Sequence, residues 1–160
     1  MTATNNPVDL IDRMEAVMVN SGQDVQFPTD HQFYDEVNGV RLYRRTIFIP
    51  KDHAASGVTH LFSHPFFLMQ GTLDILDSDG NCLHITAPYV GDAIPGTRKI
   101  VRALEDCVFI TCHVTTKTTP EEVIAEISGP STNPLLTEAQ LDKCAALRAS
   151  SPDALEKALK

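Results

Sequence analysis

Apolar residues recur at helical spacing near the start of the chain. They fall on one face of a predicted helix, at Val8, Ile11, Met14 and Val17. Asn6-Pro7 is a favourable start, because Asn caps helices well and Pro is preferred at the first helical position. The pattern predicts a helix that runs from there to about Asn20 and ends at Ser21-Gly22.

From about residue 24 onward, short apolar runs rich in β-branched and aromatic residues alternate with turn residues. This pattern is typical of an all-β region. The predicted strands are Val40–Ile49, Thr59–Phe62, Phe66–Gln70, Thr72–Asp77, Cys82–Ala87, Asp92–Ile94, Lys99–Leu104 and Cys107–Thr115. Gly71 marks a tight bend, and 77–81 is a hairpin turn. Strands of this number and spacing predict a closed barrel or a jelly roll.

After Thr119 the pattern becomes helical again. Pro120 to Ile127 is predicted to form a short helix with Thr119 as its cap. Thr137 and Gln140 match a capping box that leads into a second helix, and Ser151-Pro152-Asp153 is expected to start a last one. These helices have too few large apolar residues to fold alone, so they must dock or stay mobile. Three regions are therefore predicted: a helix and linker over 1–24, a β-barrel over 25–118, and a helical tail over 119–160.

Charge and cysteine content narrow the function classes. The 160 residues carry 13 Lys+Arg against 21 Asp+Glu, a net charge of -8. With no basic stripe, this argues against nucleic-acid binding and against an anionic membrane surface. The four cysteines form no CxxC pair and match no zinc finger. The first 19 residues resemble neither a signal peptide nor a membrane span, so we expect reduced thiols and a cytoplasmic location.

Histidines are the candidates for chemistry, and His60 and His64 are the most informative pair. Residues four apart on a straight strand lie roughly 13 Å from each other, too far to share a ligand. A shared site therefore requires a bend, and Pro65 favours one there. His113 lies on the last predicted strand, whose more apolar face carries Val108, Ile110, Cys112 and Val114. His113 reaches an interior site only if the other, polar face lines it.

The stretch 57–71 resembles the first motif of the cupins, in which a His-x-His pair precedes a glutamate and a closing glycine. With Gly71 as that glycine, His64 stands at the glutamate position and His60 at the second histidine. Val58 stands where the first histidine belongs. The resemblance implies a cupin-like jelly-roll barrel with an N-terminal helix and short C-terminal helices.

The second cupin motif is similar to 94–99, although Lys99 occupies the position of its ligand histidine. The chain also resembles small cupin-like proteins encoded in tailed phages and prophages. The residues that carry this likeness are His60, His64, Pro95-Gly96-Thr97-Arg98-Lys99, Ala103-Leu104-Glu105-Asp106 and His113. The resemblance implies a homo-oligomer, a dimer or larger, in the host cytoplasm or in a virion.

Three hypotheses follow for the histidines. In the first, His60, His64 and His113 hold a divalent metal, for which Zn, Fe, Mn or Ni would suit three imidazoles. In the second, the same histidines join Arg98 and Lys99 to bind a small anionic ligand without metal. In the third, the pocket is vestigial and the chain is a phage structural or accessory protein. Whether any reaction is catalysed stays open.

Overall fold

Alternating apolar positions build strands through most of the chain, and capped amphipathic segments build helices at its two ends. The structure is a computed structural model and describes residues 8–23, 25–130 and 133–149. Its elements are α1 (Leu10–Asn20), β1 (Thr29–Phe33), β2 (Arg41–Ile49), β3 (Ala54–Ser56), β4 (His64–Gln70), β5 (Thr72–Asp77), β6 (Cys82–Thr86), β7 (Tyr89–Ala93), β8 (Lys99–Ala103), β9 (Cys107–Thr115), α2 (Pro120–Ile127) and α3 (Glu138–Ala149).

The strands form two antiparallel sheets. The larger sheet has the order β1-β2-β9-β4-β7, and the smaller one has the order β3-β8-β5-β6. The predicted β-rich architecture is confirmed at this level. The prediction of a closed barrel is not, because among the described residues no strand of one sheet pairs with a strand of the other. All four edge strands have five residues or fewer, and no ladder of paired strands joins the two sheets within the described residues.

The hydrophobic core lies between the two sheets. It contains Ile47, Ile49, Phe66, Leu68, Leu73, Ile75, Ile85, Ala103 and Cys107. Each large apolar side chain buried in this way stabilises the fold by roughly 1.5–3 kcal/mol. A second, smaller cluster packs Val123 and Ile127 of α2 against Tyr43 of β2. The tail therefore docks on the larger sheet through α2.

The two turns predicted from the sequence, at Gly71 and at 77–81, are present in the structure. Gly71 has φ 87°, and a Cβ there would lie 2.4 Å from the carbonyl oxygen of Asp106, so only glycine fits the bend between β4 and β5. In the next hairpin, the carboxylate of Asp77 accepts hydrogen bonds from the backbone N–H groups of Asp79 and Asn81 at 3.0 and 2.9 Å. These contacts fix the registers of both strand pairs.

The helix caps confirm two of the predicted helix starts. Thr119 caps α2, and Thr137 and Gln140 form the predicted capping box of α3. Helix α1 starts later than the sequence predicts, because Asp9 supplies its cap by accepting from Asp12 N–H at 2.8 Å. The predicted cap at Asn6-Pro7 and the predicted last helix from Ser151 lie outside the described residues. No helix in the described ranges is long and apolar enough to cross a membrane.

The segment before β4 differs from the sequence prediction in a way that shapes the site. The predicted strand Thr59–Phe62 is a loop in the structure, with a single bridge from His60 to Ser128. The strand preceding it is β3, which has only three residues, Ala54–Ser56. The chain therefore bends between His60 and β4, as a shared histidine site requires.

Candidate functional site

A cavity of about 410 Å³ lies between the two sheets. Strands of both sheets form its walls. Helices α1 and α3 cover it, through Met18 and Val19 on one side and Leu147 and Arg148 on the other. Most of its wall is apolar, including Phe27, Ile47, Ile49, Val58, Phe66, Ile75, Val101 and Phe109. This size and composition are typical of a site for a small organic molecule.

The three histidines singled out from the sequence converge in this cavity. The ring centroids of His60 and His64 lie 4.3 Å apart, and those of His64 and His113 lie 4.2 Å apart. The His60 and His113 rings are 6.0 Å apart. The structure thus brings together side chains from a loop, from the start of β4 and from β9.

Backbone hydrogen bonds explain how the loop residue reaches the strands. The carbonyl of His60 accepts from Gly96 N–H at 2.7 Å, and its own N–H donates to Thr97 at 3.3 Å. Gly96 has φ 79°, a conformation that favours glycine, so the glycine of the second motif also positions the first histidine. The bend between His60 and β4 then turns His64 back toward it.

The structure shows which face of β9 lines the cavity. Phe109, Thr111 and His113 point into the cavity, while Val114 points outward and is 66% exposed. His113 itself is only 7% exposed. The more polar face of this strand therefore lines the interior, and the more apolar face does not.

All three imidazoles are held neutral. Burial, followed by the charges of His64, Lys99 and Arg45, lowers the pKa of His60 to about 4. Burial and the neighbouring histidines lower the pKa of His113 to about 3. Burial also lowers the pKa of His64, although a hydrogen bond to the Phe62 carbonyl partly offsets it.

Hydrogen bonding fixes the tautomer of His64, and among the described residues it gives no partner to one ring nitrogen of His60. His64 Nδ1 lies 3.3 Å from the Phe62 carbonyl, which can only accept, so Nδ1 carries the proton and Nε2 is an acceptor. His60 Nδ1 is buried and has no hydrogen-bond partner. Native proteins rarely leave such an atom unsatisfied, so it is available to a bound molecule.

The placed side chains do not form a metal centre. Among the described residues, no group of three or more His, Cys, Asp or Glu side chains is arranged to hold an ion. The rings are close, but Lys99 adds a positive charge that would repel a cation. In their present orientations these side chains therefore do not form the metal site that the sequence predicts.

The two predicted ligand-binding cations are separated. Lys99 lines the cavity, with its Nζ 5.7 Å from the centre of the Phe66 ring. Arg98 instead points to helix α1, where it pairs with Asp12 at 2.8 Å and with Glu15. Adjacent residues of an extended segment point to opposite sides, so only one of the two can face the histidines. The structure does not bring Arg98 into the histidine cluster.

Arg98 belongs to a buried polar cluster that holds the terminal helices together. Glu15 also accepts from Arg148 of α3 at 3.2 Å and from Asn133 at 3.0 Å. Burial alone would raise the pKa of Glu15, but the hydrogen bonds from Arg98 and Asn133 lower it below its usual value. The cluster thus keeps a charged carboxylate under the helices that cover the cavity.

Sequence reasoning missed Arg45, which lines the cavity from β2. Its strand nevertheless carries a signal for its position. Tyr43, Ile47 and Ile49 alternate inward with Arg45 among them, so the period of two places a charged residue on the buried face. A charge on such a face is unusual and marks a functional candidate.

Comparisons with known proteins found structural likeness only. No family model matches the chain, and no curated protein matches it. A cupin-2 domain protein from Shewanella frigidimarina NCIMB 400 is 17% identical, with a TM-score of 0.41 over 52% of this chain and 78% of that one. The protein plu4264 from Photorhabdus luminescens is 14% identical, with a TM-score of 0.47 over 56% and 75%. A cupin 2 conserved barrel domain protein from Salinispora arenicola CNS-205 is 12% identical, with a TM-score of 0.44 over 77% and 86%.

Proposed function

We propose that this chain is a cupin-like binding protein, with its two sheets arranged as a jelly roll, and that it holds a small organic molecule in the cavity. The observation that carries the proposal is the convergence of His60, His64 and His113 in a mostly apolar cavity of about 410 Å³. Apolar walls favour burial of the ligand body, and a few polar groups in one place fix its orientation.

The neutral state of the histidines supports this function. A neutral imidazole offers one donor and one acceptor, whereas an imidazolium offers only donors. His64 Nε2 is an acceptor, and the buried Nδ1 of His60 has no partner. The histidines would therefore bind a ligand that carries polar atoms at one end.

The experiment is binding of a neutral fluorophore, N-phenyl-1-naphthylamine, with and without a blocked cavity. Val101 lines the cavity, so Val101→Trp should fill part of it and abolish the fluorescence increase. Val17 of α1 is 72% exposed, so the matched change Val17→Trp should leave binding unchanged. Equal fluorescence from both variants would overturn the proposal, provided that near-ultraviolet circular dichroism shows both to be folded.

A divalent metal on His60, His64 and His113 is a second candidate, supported by the closeness and neutrality of the three rings. It requires the rings to turn from their present orientations. Metal content of protein purified without chelator, and the rise in melting temperature with Zn²⁺, test it. His64→Gln should remove any such rise, while His84→Gln, at an exposed position, should not. Less than about one ion per ten chains, with no thermal shift, would exclude it.

A further inference from the structure

Arg45 carries a positive charge into the cavity, and no carboxylate of the described residues pairs with it. It lies on β2 between the inward-facing Tyr43 and Ile47, and its side chain lines the cavity. Its Nε is buried and makes no hydrogen bond within the part of the chain that the structure describes. Its guanidinium donates a hydrogen bond to the backbone carbonyl of Arg148 at 3.4 Å, which is a long bond to a neutral group.

The other arginines around the cavity are neutralised. Arg98 and Arg148 both pair with Glu15, and Arg98 also pairs with Asp12. Two cations and two carboxylates thus balance within that cluster. In the part of the chain that the structure describes, no carboxylate pairs with Arg45 or with Lys99.

Carboxylates that line the cavity do not change this balance. They belong to Glu15, which is committed to two arginines, and to Asp52, which is exposed. The histidines supply no anionic group. Lys99 lies opposite Asp77 of β5 in the smaller sheet, so among the described residues Arg45 is the cation of the cavity that no carboxylate compensates.

An uncompensated charge away from bulk water is costly, and proteins normally pair such groups. The lowered pKa of Arg45, caused by its burial, is a sign of that cost. A ligand that brings one negative charge would relieve it. A guanidinium fork binds a carboxylate through two parallel hydrogen bonds, which also orients the ligand.

We infer that the cavity binds an organic monocarboxylate with an apolar body, and that Arg45 with Lys99 binds its carboxylate. This inference rests on the proposed function and names the ligand class. A phosphate monoester fits less well, because it would bring up to about two negative charges where one cation is uncompensated. Arg45 takes the role that the sequence assigned to Arg98.

The test uses octanoate and octan-1-ol, which share an apolar chain and differ in the carboxylate. The whole chain should bind octanoate roughly tenfold or more tightly than octanol by isothermal titration calorimetry. Arg45→Gln should remove that preference and leave octanol binding within about threefold, and Arg45→Lys should restore part of it. Arg44→Gln is the matched control, because Arg44 lies next to it on β2 but pairs with Asp30 at 3.4 Å.

The outcomes separate the two proposals. Equal binding of octanoate and octanol by the unmodified chain overturns the carboxylate inference and leaves the binding function standing. An equal loss of both ligands in Arg45→Gln also overturns it, since the arginine would then only support the fold. If neither ligand binds and the neutral fluorophore also fails, the binding function itself is wrong. The comparison within the unmodified chain keeps the inference testable if Arg45→Gln does not fold.

Discussion

At the cavity end of the larger sheet, several polar residues face inward while apolar residues face outward. The inward face carries Arg45, Thr111 and His113 beside the buried Tyr43. The outward face of the same strands carries exposed apolar side chains. The most exposed of these are Val114 at 66%, Val90 at 65%, Met69 at 57% and Leu42 at 43%. Successive residues of a strand alternate between these faces, so the two surfaces are built from the same segments.

The difference shows that burial in this sheet serves two purposes. Around Leu68 and Leu73, which do not line the cavity, the space between the two sheets is filled by an ordinary apolar core. At the cavity end, the interior accepts imidazoles and a guanidinium that cost stability, as functional sites commonly do. The outward apolar face has no such role within a single chain, and exposed patches of this kind mark interaction surfaces.

The largest effect should come from adjacent truncations on the two faces. Tyr43 is 1% exposed and packs on Phe33, Val123 and Ile127, so Tyr43→Ala should lower the free energy of unfolding by about 3–5 kcal/mol. Its neighbour Leu42 points outward, so Leu42→Ala should cost less than about 1 kcal/mol. Urea denaturation measures both values. Similar losses in the two variants would mean that the assignment of faces is wrong.

A smaller effect should come from pH, through the buried histidines. Their folded pKa values lie below 6.5, so at lower pH the unfolded chain takes up protons that the folded chain does not. Stability should therefore fall as the pH drops below about 6.5, and keep falling toward the folded values of about 4 and 3. At about pH 5 the loss should be roughly 2 kcal/mol for each of His60 and His113.

The control for this effect is a histidine outside the cavity. His113→Gln should reduce the stability difference between about pH 7.5 and pH 5, while His84→Gln, at an exposed position, should leave it unchanged. Urea denaturation in the presence of chelator gives both differences without interference from metal. If His113→Gln and the unmodified chain show the same difference in the free energy of unfolding between the two pH values, the neutral burial of this imidazole is contradicted.

Much of the fold was predictable because local patterns decide it. The bounds of β5 and β9 match the predicted strands, and those of α2 match the predicted helix, since alternation, turn residues and caps act within a few positions. β1 was missed because its sequence, Thr-Asp-His-Gln-Phe, is polar. It is a strand because it pairs along the edge of β2, which is a tertiary effect.

The site was predictable only in part. Spacing and resemblance singled out His60, His64 and His113, and the need for a bend before β4 was correct. Which of Arg98 and Lys99 faces the cavity depends on where β8 starts and on Asp12 of α1, which lies 86 residues away from Arg98 in the chain. Arg45 was missed although it alternates with Tyr43, Ile47 and Ile49, because Leu42 and Phe48 on the other face are also apolar and the pattern alone does not show which face is buried.

The smallest effect on stability should come from the outward face, which is one place where the interface of the expected homo-oligomer can be sought. Val114→Glu puts a charge on an exposed apolar position, so the free energy of unfolding should change by less than about 0.5 kcal/mol at low concentration. If this face is the interface between copies, the mass from light scattering should fall to that of one chain. Val37→Glu, at an equally exposed apolar position in the turn between β1 and β2, is the control. An oligomer that survives Val114→Glu would place the interface elsewhere. The cavity variant Val101→Trp should leave the mass from light scattering unchanged, because the cavity and the outward face of the larger sheet act independently.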